Sequence, residues 1–187
     1  MISDDFSGLD LSGFWTLEGP AGTSGSLGVT GDEKFLSLTT STGSHEIGTS
    51  NGSARALQPI ADADFEVEAK FLTLPTEETE RQGILVEEDA GSWLWFDIYS
   101  DGTSLYAYAA SHEAGISTEQ ISITIPQGES PNYLRVGRVG DEWTFSYSSD
   151  GANWNVAGSF TYALQVSAVG PFAASTDAAN GYTAEVD

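Results

Sequence analysis

The sequence predicts an all-β fold in which two antiparallel sheets pack face to face, on three observations. Apolar residues alternate along most of the chain, and few stretches carry a helical period. Gly, Asn, Asp and Ser interrupt that alternation roughly every 8 to 12 residues, the spacing of strands in a sandwich. The 187 residues are 40% hydrophobic and 11% aromatic, enough for one domain with a real core despite the charge.

The elements follow in order. Asp5-Phe6 reads as a short opening strand and residues 14–17 as a second, while the Gly/Ser/Thr-rich segment 19–30 is weakly specified. Residues 35–39 form a strand, a long polar loop covers 41–53, and 54–60 return as a strand. Residues 65–72 alternate cleanly, with Phe65, Val67, Ala69 and Phe71 inward and Glu66, Glu68 and Lys70 outward. The acidic stretch 76–80 is a solvated bend, and 83–86 form a compact apolar strand ending in three acids. Residues 112–117 read as a loop, after which Ile121, Ile123 and Ile125 alternate up to Pro126. Between 133 and 160, turns at Gly140-Asp141 and Asp150-Gly151 predict a three-strand meander. Two-residue loops would align Leu134, Val136 and Arg138 with Trp143, Phe145 and Tyr147, and those with Trp154 and Val156. Residues 166–172 and 182–186 supply the last strands, and the absence of an internal repeat or linker makes 1–187 one domain.

Charge excludes several functions. Asp and Glu number 28 against 6 Lys and Arg, for a net charge of −22, a surface that repels nucleic acid and anionic membranes. Such a lysine-poor, acidic surface suits salty surroundings, where screening removes self-repulsion; the other source of so many carboxylates is calcium binding. With no cysteine there is no disulfide, thiolate zinc site or cysteine nucleophile. No apolar run approaches the roughly 18 residues of a membrane helix. Met1-Ile2 leads at once into Ser3-Asp4-Asp5-Phe6 without a basic or apolar leader, so the chain reads as a module of a larger secreted protein whose export signal lies elsewhere.

One hairpin stands apart. In residues 92–108, Trp93, Trp95, Asp97 and Tyr99 alternate with Leu94, Phe96 and Ile98, and Asp101-Gly102 is a strong turn signal. A two-residue loop would set Ile98 against Leu105, Phe96 against Ala107 and Leu94 against Ala109, with Asp97 opposite Tyr106 and Trp95 opposite Tyr108. One face is then aliphatic with a Phe. The other gathers Trp93, Trp95, Tyr99, Tyr106 and Tyr108 around Asp97. Aromatic rings stack on the C–H faces of sugars while a carboxylate accepts hydroxyl hydrogen bonds, so these six residues are the expected carbohydrate-binding set. The alternative is a face covered by the 41–53 loop or by another sheet.

Several motifs fall in a familiar order. Asp4-Asp5-Phe6-Ser7-Gly8 with Phe14-Trp15, then Gln82-Gly-Ile-Leu-Val86, Tyr133-Leu-Arg-Val136, Phe145-Ser-Tyr-Ser-Ser-Asp-Gly151 with Trp154, Val169-Gly-Pro-Phe172 and Ala184-Glu-Val-Asp187 span nearly the whole chain. Together they resemble the concanavalin A-like β-jelly-roll modules of laminarin-binding and xylosidase-accessory type, attached to bacterial polysaccharide-degrading enzymes. The resemblance implies two facing antiparallel sheets, a sugar groove on the concave one, polysaccharide as partner and neighbouring domains in the same chain. It also implies a structural calcium where first and last strands meet, which points to Asp5 and Asp187.

Catalysis is not expected. Glucanases of this architecture resemble one another in a Glu-x-Asp-x-x-Glu strand that this sequence lacks; Glu66-Val-Glu68 is the nearest pair and has no third acid. Retaining hydrolysis needs two carboxyls about 5 Å apart. His45-Glu46 and His112-Glu113 lie in predicted loops without His-Glu-x-x-His spacing. Ser148-Ser-Asp-Gly-Ala-Asn-Trp154 resembles an Asp-box, but Asp150 capping its own turn accounts for it. The sequence therefore points to a non-catalytic carbohydrate-binding module, with a structural or adhesive extracellular module of the same fold as the alternative and a glycan-degrading enzyme, a glycoside hydrolase or polysaccharide lyase, third.

Overall fold

A computed structural model describes residues 1–177 and 179–187. In chain order it contains β1 (Thr16–Glu18), β2 (Thr23–Thr30), β3 (Glu33–Thr40), α1 (Ile47–Ser50), β4 (Ala54–Pro59), β5 (Phe65–Lys70), β6 (Arg81–Asp89), β7 (Ser92–Ser100), β8 (Leu105–Glu113), β9 (Ile116–Thr124), β10 (Tyr133–Val139), β11 (Glu142–Ser148), β12 (Asn155–Thr161), β13 (Ala168–Ala174) and β14 (Tyr182–Val186). One layer is a seven-stranded antiparallel sheet in the order β1-β4-β13-β6-β7-β8-β9. The other joins β12-β11-β10-β5 to β14-β3-β2 through the Phe71–Val186 bridge and the Leu72 N–H to Glu185 O bond of 2.8 Å. The expected two-sheet sandwich is the fold. Among the described residues, no helix is long and apolar enough to cross a membrane.

The core lies between the layers and is written in alternation. Ile84 and Val86 from β6, Leu94, Phe96 and Ile98 from β7, and Ala107 and Ala109 from β8 face Leu36, Leu38, Phe71, Leu134, Val136, Trp143 and Phe145 of the opposite layer. Phe96 sits within 6.0 Å, centroid to centroid, of Trp143, Phe145 and Phe160. The inward set expected for β5 holds, since Phe65, Val67, Ala69 and Phe71 all join this cluster.

Where the structure departs from the expected registers, turn chemistry is the cause. The β7–β8 pairing runs from Ser92–Glu113 to Ser100–Leu105, leaving a four-residue loop rather than two. Asp101 Oδ1 accepts the N–H groups of Thr103 (2.8 Å) and Ser104 (2.7 Å), which lengthens the turn. The partners become Ile98–Ala107, Phe96–Ala109 and Asp97–Tyr108. A slip of two residues preserves the pleat, so every side chain stays on its expected face. Residues 112–117 are not a loop: β8 and β9 meet at Ala114-Gly115, both at positive φ (50° and 84°). In the meander, β10 and β11 pair as expected, but the longer turn after β11 sets Asn155 rather than Trp154 opposite Tyr147, and a bulge at Phe145/Ser146 then sets Gly158 rather than Val156 opposite Phe145. Trp154 instead covers the Arg135 guanidinium at 3.8 Å. Asp150 caps its own turn through the N–H groups of Asn153 (2.7 Å) and Ala152 (2.8 Å). Asp5-Phe6 is no strand; Phe6 is held at φ 51°, with its N–H on Asp4 Oδ1.

Gly83 fixes the distance between β6 and β7. A Cβ there would lie 2.1 Å from the Phe96 carbonyl oxygen and 2.7 Å from Asp97 Cα, both backbone atoms that cannot swing away. Gly83→Ala is therefore expected to destabilise the fold by roughly 1–3 kcal/mol, the cost of overpacking a closed interior. Thermal denaturation checks this: a melting temperature equal to that of the wild type would show that the two strands can part without cost.

Candidate binding face

The face of the seven-stranded sheet turned away from the core forms a grid, because aligned residues on neighbouring strands stand side by side. One row reads Ala174, Arg81, Tyr99, Tyr106, Thr124. The next is Arg55, Phe172, Gly83, Asp97, Tyr108, Ser122. Then come Gly170, Leu85, Trp95, Ala110, Glu119, and finally Ala168, Glu87, Trp93, His112, Ser117. All six residues expected to bind carbohydrate thus share one face.

They do not share one environment. Tyr99, Tyr106 and Tyr108 are partly exposed, whereas Trp93 and Trp95 are only 1% and 3% exposed. The 41–53 segment is what covers the tryptophans. It folds into the single turn α1, whose Ile47 packs with Leu57, Leu85, Trp93, Trp95, Ala110 and Phe172. The Gly48 carbonyl receives Ser117 Oγ and lies 2.9 Å from His112 Nδ1, and His112 in turn stacks on Trp93 at 3.8 Å. Asn51 Nδ2 donates to Glu87 Oε1 at 2.7 Å, anchoring the far end of the turn.

Asp97 is fully buried. Arg81 Nη1 donates to its Oδ2 at 3.0 Å. The same guanidinium lies 4.3 Å from the Tyr99 ring and 5.2 Å from the Tyr108 ring. Tyr99 then stacks on Tyr106 at 4.8 Å and meets Tyr108 edge-on at 5.7 Å. Asp101, already capping its turn, receives the Tyr106 hydroxyl at 2.9 Å. The product is a ledge of three tyrosines cemented by one arginine, with α1 standing beside it as a wall. Burial pushes the Asp97 carboxyl up to about 6 even though Arg81 opposes the shift. On β7, Asp97 Oδ1, Trp93 Nε1 and Trp95 Nε1 find no hydrogen-bond partner among the described residues.

Arg81, Gly83 and α1 are the parts of this face that sequence reasoning did not assign. In sequence Asp97 argues for a wet face, because a buried unpaired charge is costly, but the structure buries it completely and Arg81 supplies the pairing cation. The calcium pair fits poorly. Asp187 is bound by the Lys70 ammonium, and its N–H bonds the Lys70 carbonyl at 2.9 Å. Asp5 Oδ1 accepts the Ser7 N–H at 3.0 Å in an exposed turn. The last strand pairs with β3 rather than with the opening segment, and among the described residues no group of three or more His, Asp or Glu is placed to hold a metal ion. Glu66 and Glu68 face solvent and both pair with Arg135, at 3.6 and 2.6 Å.

The model for the β-xylosidase C-terminal concanavalin A-like domain family matches residues 3–181. The chain belongs to that family. Among solved structures, it is similar to a GH43 protein (BlXynB) from Bacillus licheniformis, with 17% identity and a TM-score of 0.78 over 98% of this chain and 37% of that one. A xylan β-1,4-xylosidase from Bacillus halodurans is similar at 16% identity and a TM-score of 0.71, over 98% of this chain and 37% of that one. Carbohydrate-binding module CBM66 from Bacillus subtilis is similar at 14% identity and a TM-score of 0.59, over 93% and 92% of the two chains. The chain therefore spans little more than a third of the length of the two GH43 proteins. No curated protein matches it.

The Asp97 environment has a pH signature. Its folded carboxyl titrates near 6, above the ordinary 3.8, so between these values the folded state holds the extra proton. Stability then falls as pH rises through that window, opposite to the usual salt-bridged carboxylate. Denaturation midpoints from pH 4.5 to 7.5 should show this slope, and Asp97→Asn should remove it; an identical slope in the variant would place the titration elsewhere.

Proposed function

We propose that this domain is a non-catalytic carbohydrate-binding module that holds a neutral polysaccharide on the Tyr99, Tyr106 and Tyr108 ledge. The observation that carries this reading is the ledge itself: three partly exposed aromatic rings, fixed in mutual stacking by Arg81 and bordered by a wall. Sugars offer apolar C–H faces to such rings, and the tyrosine hydroxyls supply hydrogen bonds. Neutrality follows from charge. Arg81 is compensated by Asp97, and the net charge of −22 opposes anionic polymers. Membership in a family of xylosidase C-terminal domains makes xylan the first polymer to try. In a secreted multidomain chain, such a module raises the effective concentration of polysaccharide at a neighbouring domain. Its acidic surface suits saline surroundings, where self-repulsion is screened. The carboxylates nearest to a catalytic pattern, Glu66 and Glu68, are both committed to Arg135.

The burial of Trp93 and Trp95 favours a second reading, a structural or adhesive module that binds no glycan. Affinity electrophoresis or calorimetry with soluble xylan and laminarin, in low and high salt, separates the two. Tyr106→Ala should weaken binding about tenfold, equivalent to 1.4 kcal/mol, with an unchanged melting temperature. If the wild type binds neither polymer, the adhesive reading stands instead.

The structural calcium is a separate proposal, because Asp187 would have to leave Lys70 to join it. A melting temperature lowered by chelator and restored by calcium would support it. Given the ion pair in place, the expected result is no change on chelation.

A further inference from the structure

The ledge ends where α1 begins, and what α1 hides has the chemistry of the ledge itself. Trp95 continues the row of aromatic residues, its ring 6.3 Å from that of Tyr108. Trp93 lies beyond it on the same strand face. Both indole N–H groups are buried and without acceptors among the described residues. A packed core satisfies such donors; Trp143, in the core of this protein, gives its indole N–H to the Tyr162 carbonyl at 2.9 Å. Two neighbouring indoles left with unused donors mark a surface that lacks an acceptor.

The cover over them is weakly built. α1 has four residues, one of them Gly48, and its N-cap Glu46 makes no side-chain capping bond. One turn of helix has little stability of its own. Asn51 ends it at φ 46°, the left-handed cap that asparagine tolerates. The flanks, by contrast, are tied down. His45 pairs with Ser175, and Gly52 N–H returns to the Glu46 carbonyl at 2.6 Å. A small set of contacts therefore holds the turn against the sheet: Ile47, the Gly48 carbonyl with His112 and Ser117, and Asn51 with Glu87 and, through its carbonyl, Arg55 Nη1 at 3.1 Å.

We infer that α1 is a movable cover over a second sugar subsite, floored by Trp93 and Trp95 and continuous with the tyrosine ledge. The inference rests on the proposed function, which it extends from one ring-binding ledge to a row of five aromatic side chains. Its ligand is a further residue of the same neutral polysaccharide. That sugar would place its C–H face on the indoles, and its hydroxyl oxygens would accept from the two free N–H groups. Movement of the turn about its anchored flanks uncovers the floor without parting any strand of the sheet.

The cysteine-free chain allows a direct test. A Cβ on Gly48 would lie 3.7 Å from Ser117 Oγ, close enough for Gly48→Cys and Ser117→Cys to form a disulfide that locks the turn. In the wild type, the indole N–H groups of Trp93 and Trp95 should exchange with solvent at least about 100-fold faster than that of Trp143, and in the double variant oxidation should slow them to the Trp143 rate. Affinity for soluble xylan, measured on the same protein, should fall about tenfold on oxidation and return with reductant. Equally slow exchange of all three indoles in the wild type would overturn the movable cover. Unchanged affinity on oxidation would overturn the tryptophan subsite and leave the ledge as the whole site. Failure of the wild type to bind xylan or laminarin would remove the sugar assignment itself, while the exchange rates would still decide whether α1 opens.

Discussion

The outer face of the seven-stranded sheet is organised by a carboxylate that water cannot reach. Asp97 stands at the centre of β7 with no exposed surface, and a buried charge costs several kcal/mol unless it is paired. Arg81, two positions before Gly83 on the neighbouring strand, supplies the partner. Gly83 is what lets the strands close to that distance, since its missing side chain leaves the backbone of Phe96 and Asp97 uncovered on that side. Once Arg81 is fixed, its guanidinium offers two faces, and Tyr99 and Tyr108 occupy positions over it. Tyr106 then stacks on Tyr99. The order of cause runs from one buried charge to an aromatic ledge.

The same strand carries a different balance one row further on. Covering Trp93 and Trp95 with α1 buries Ile47, worth about 1.5–3 kcal/mol. It also keeps two indole donors from water, at a cost of about 1–3 kcal/mol each. The burial of both indole rings beneath the turn adds to the Ile47 contribution, so α1 is held by apolar packing together with its polar contacts to His112, Ser117, Glu87 and Arg55. Nothing comparable holds over the ledge, where the rings are braced by one another and by Arg81. The face thus has a rigid half and a conditional half, and β7 contributes to both.

Much of this was legible in the chain. Alternation in β5, β7 and β10 assigned inward and outward residues correctly, because a pleat of period two leaves only two choices. The faces of the β7–β8 hairpin survived a wrong loop length for the same reason: Asp101 added two residues to the turn, and an even slip keeps parity. The β12 register did not survive, because the turn after β11 slips the pairing by one residue, which changes parity next to Trp154, and the bulge at Phe145/Ser146 restores parity only further along the strand. Trp154 moved from expected core to a perch over Arg135 as a result. The family motifs gave the sandwich, and the family match bears that out. What could not be read was the third dimension over the aromatic face. Residues 41–53 are polar and Gly-rich, with Ile47 as the only large apolar side chain, and a single turn produces no period to detect.

Charge placement gives the final step. Each of the four arginines is engaged with a carboxylate: Arg55 with Glu18 and Glu87, Arg81 with Asp97, Arg135 with Glu66 and Glu68, and Arg138 with Asp62. Lys70 serves Asp187 in the same way. In a chain this poor in cations, positive charge is used where a carboxylate has to be held in place; buried Glu80 is held instead by the N–H groups of Thr76 and Glu77. A charged ligand would find no uncommitted arginine on the aromatic face. An uncharged one needs only the rings and the hydroxyls, and these are what the face presents. The identity of the cations' partners, more than the number of acids, is therefore what supports proposing a neutral rather than an anionic ligand.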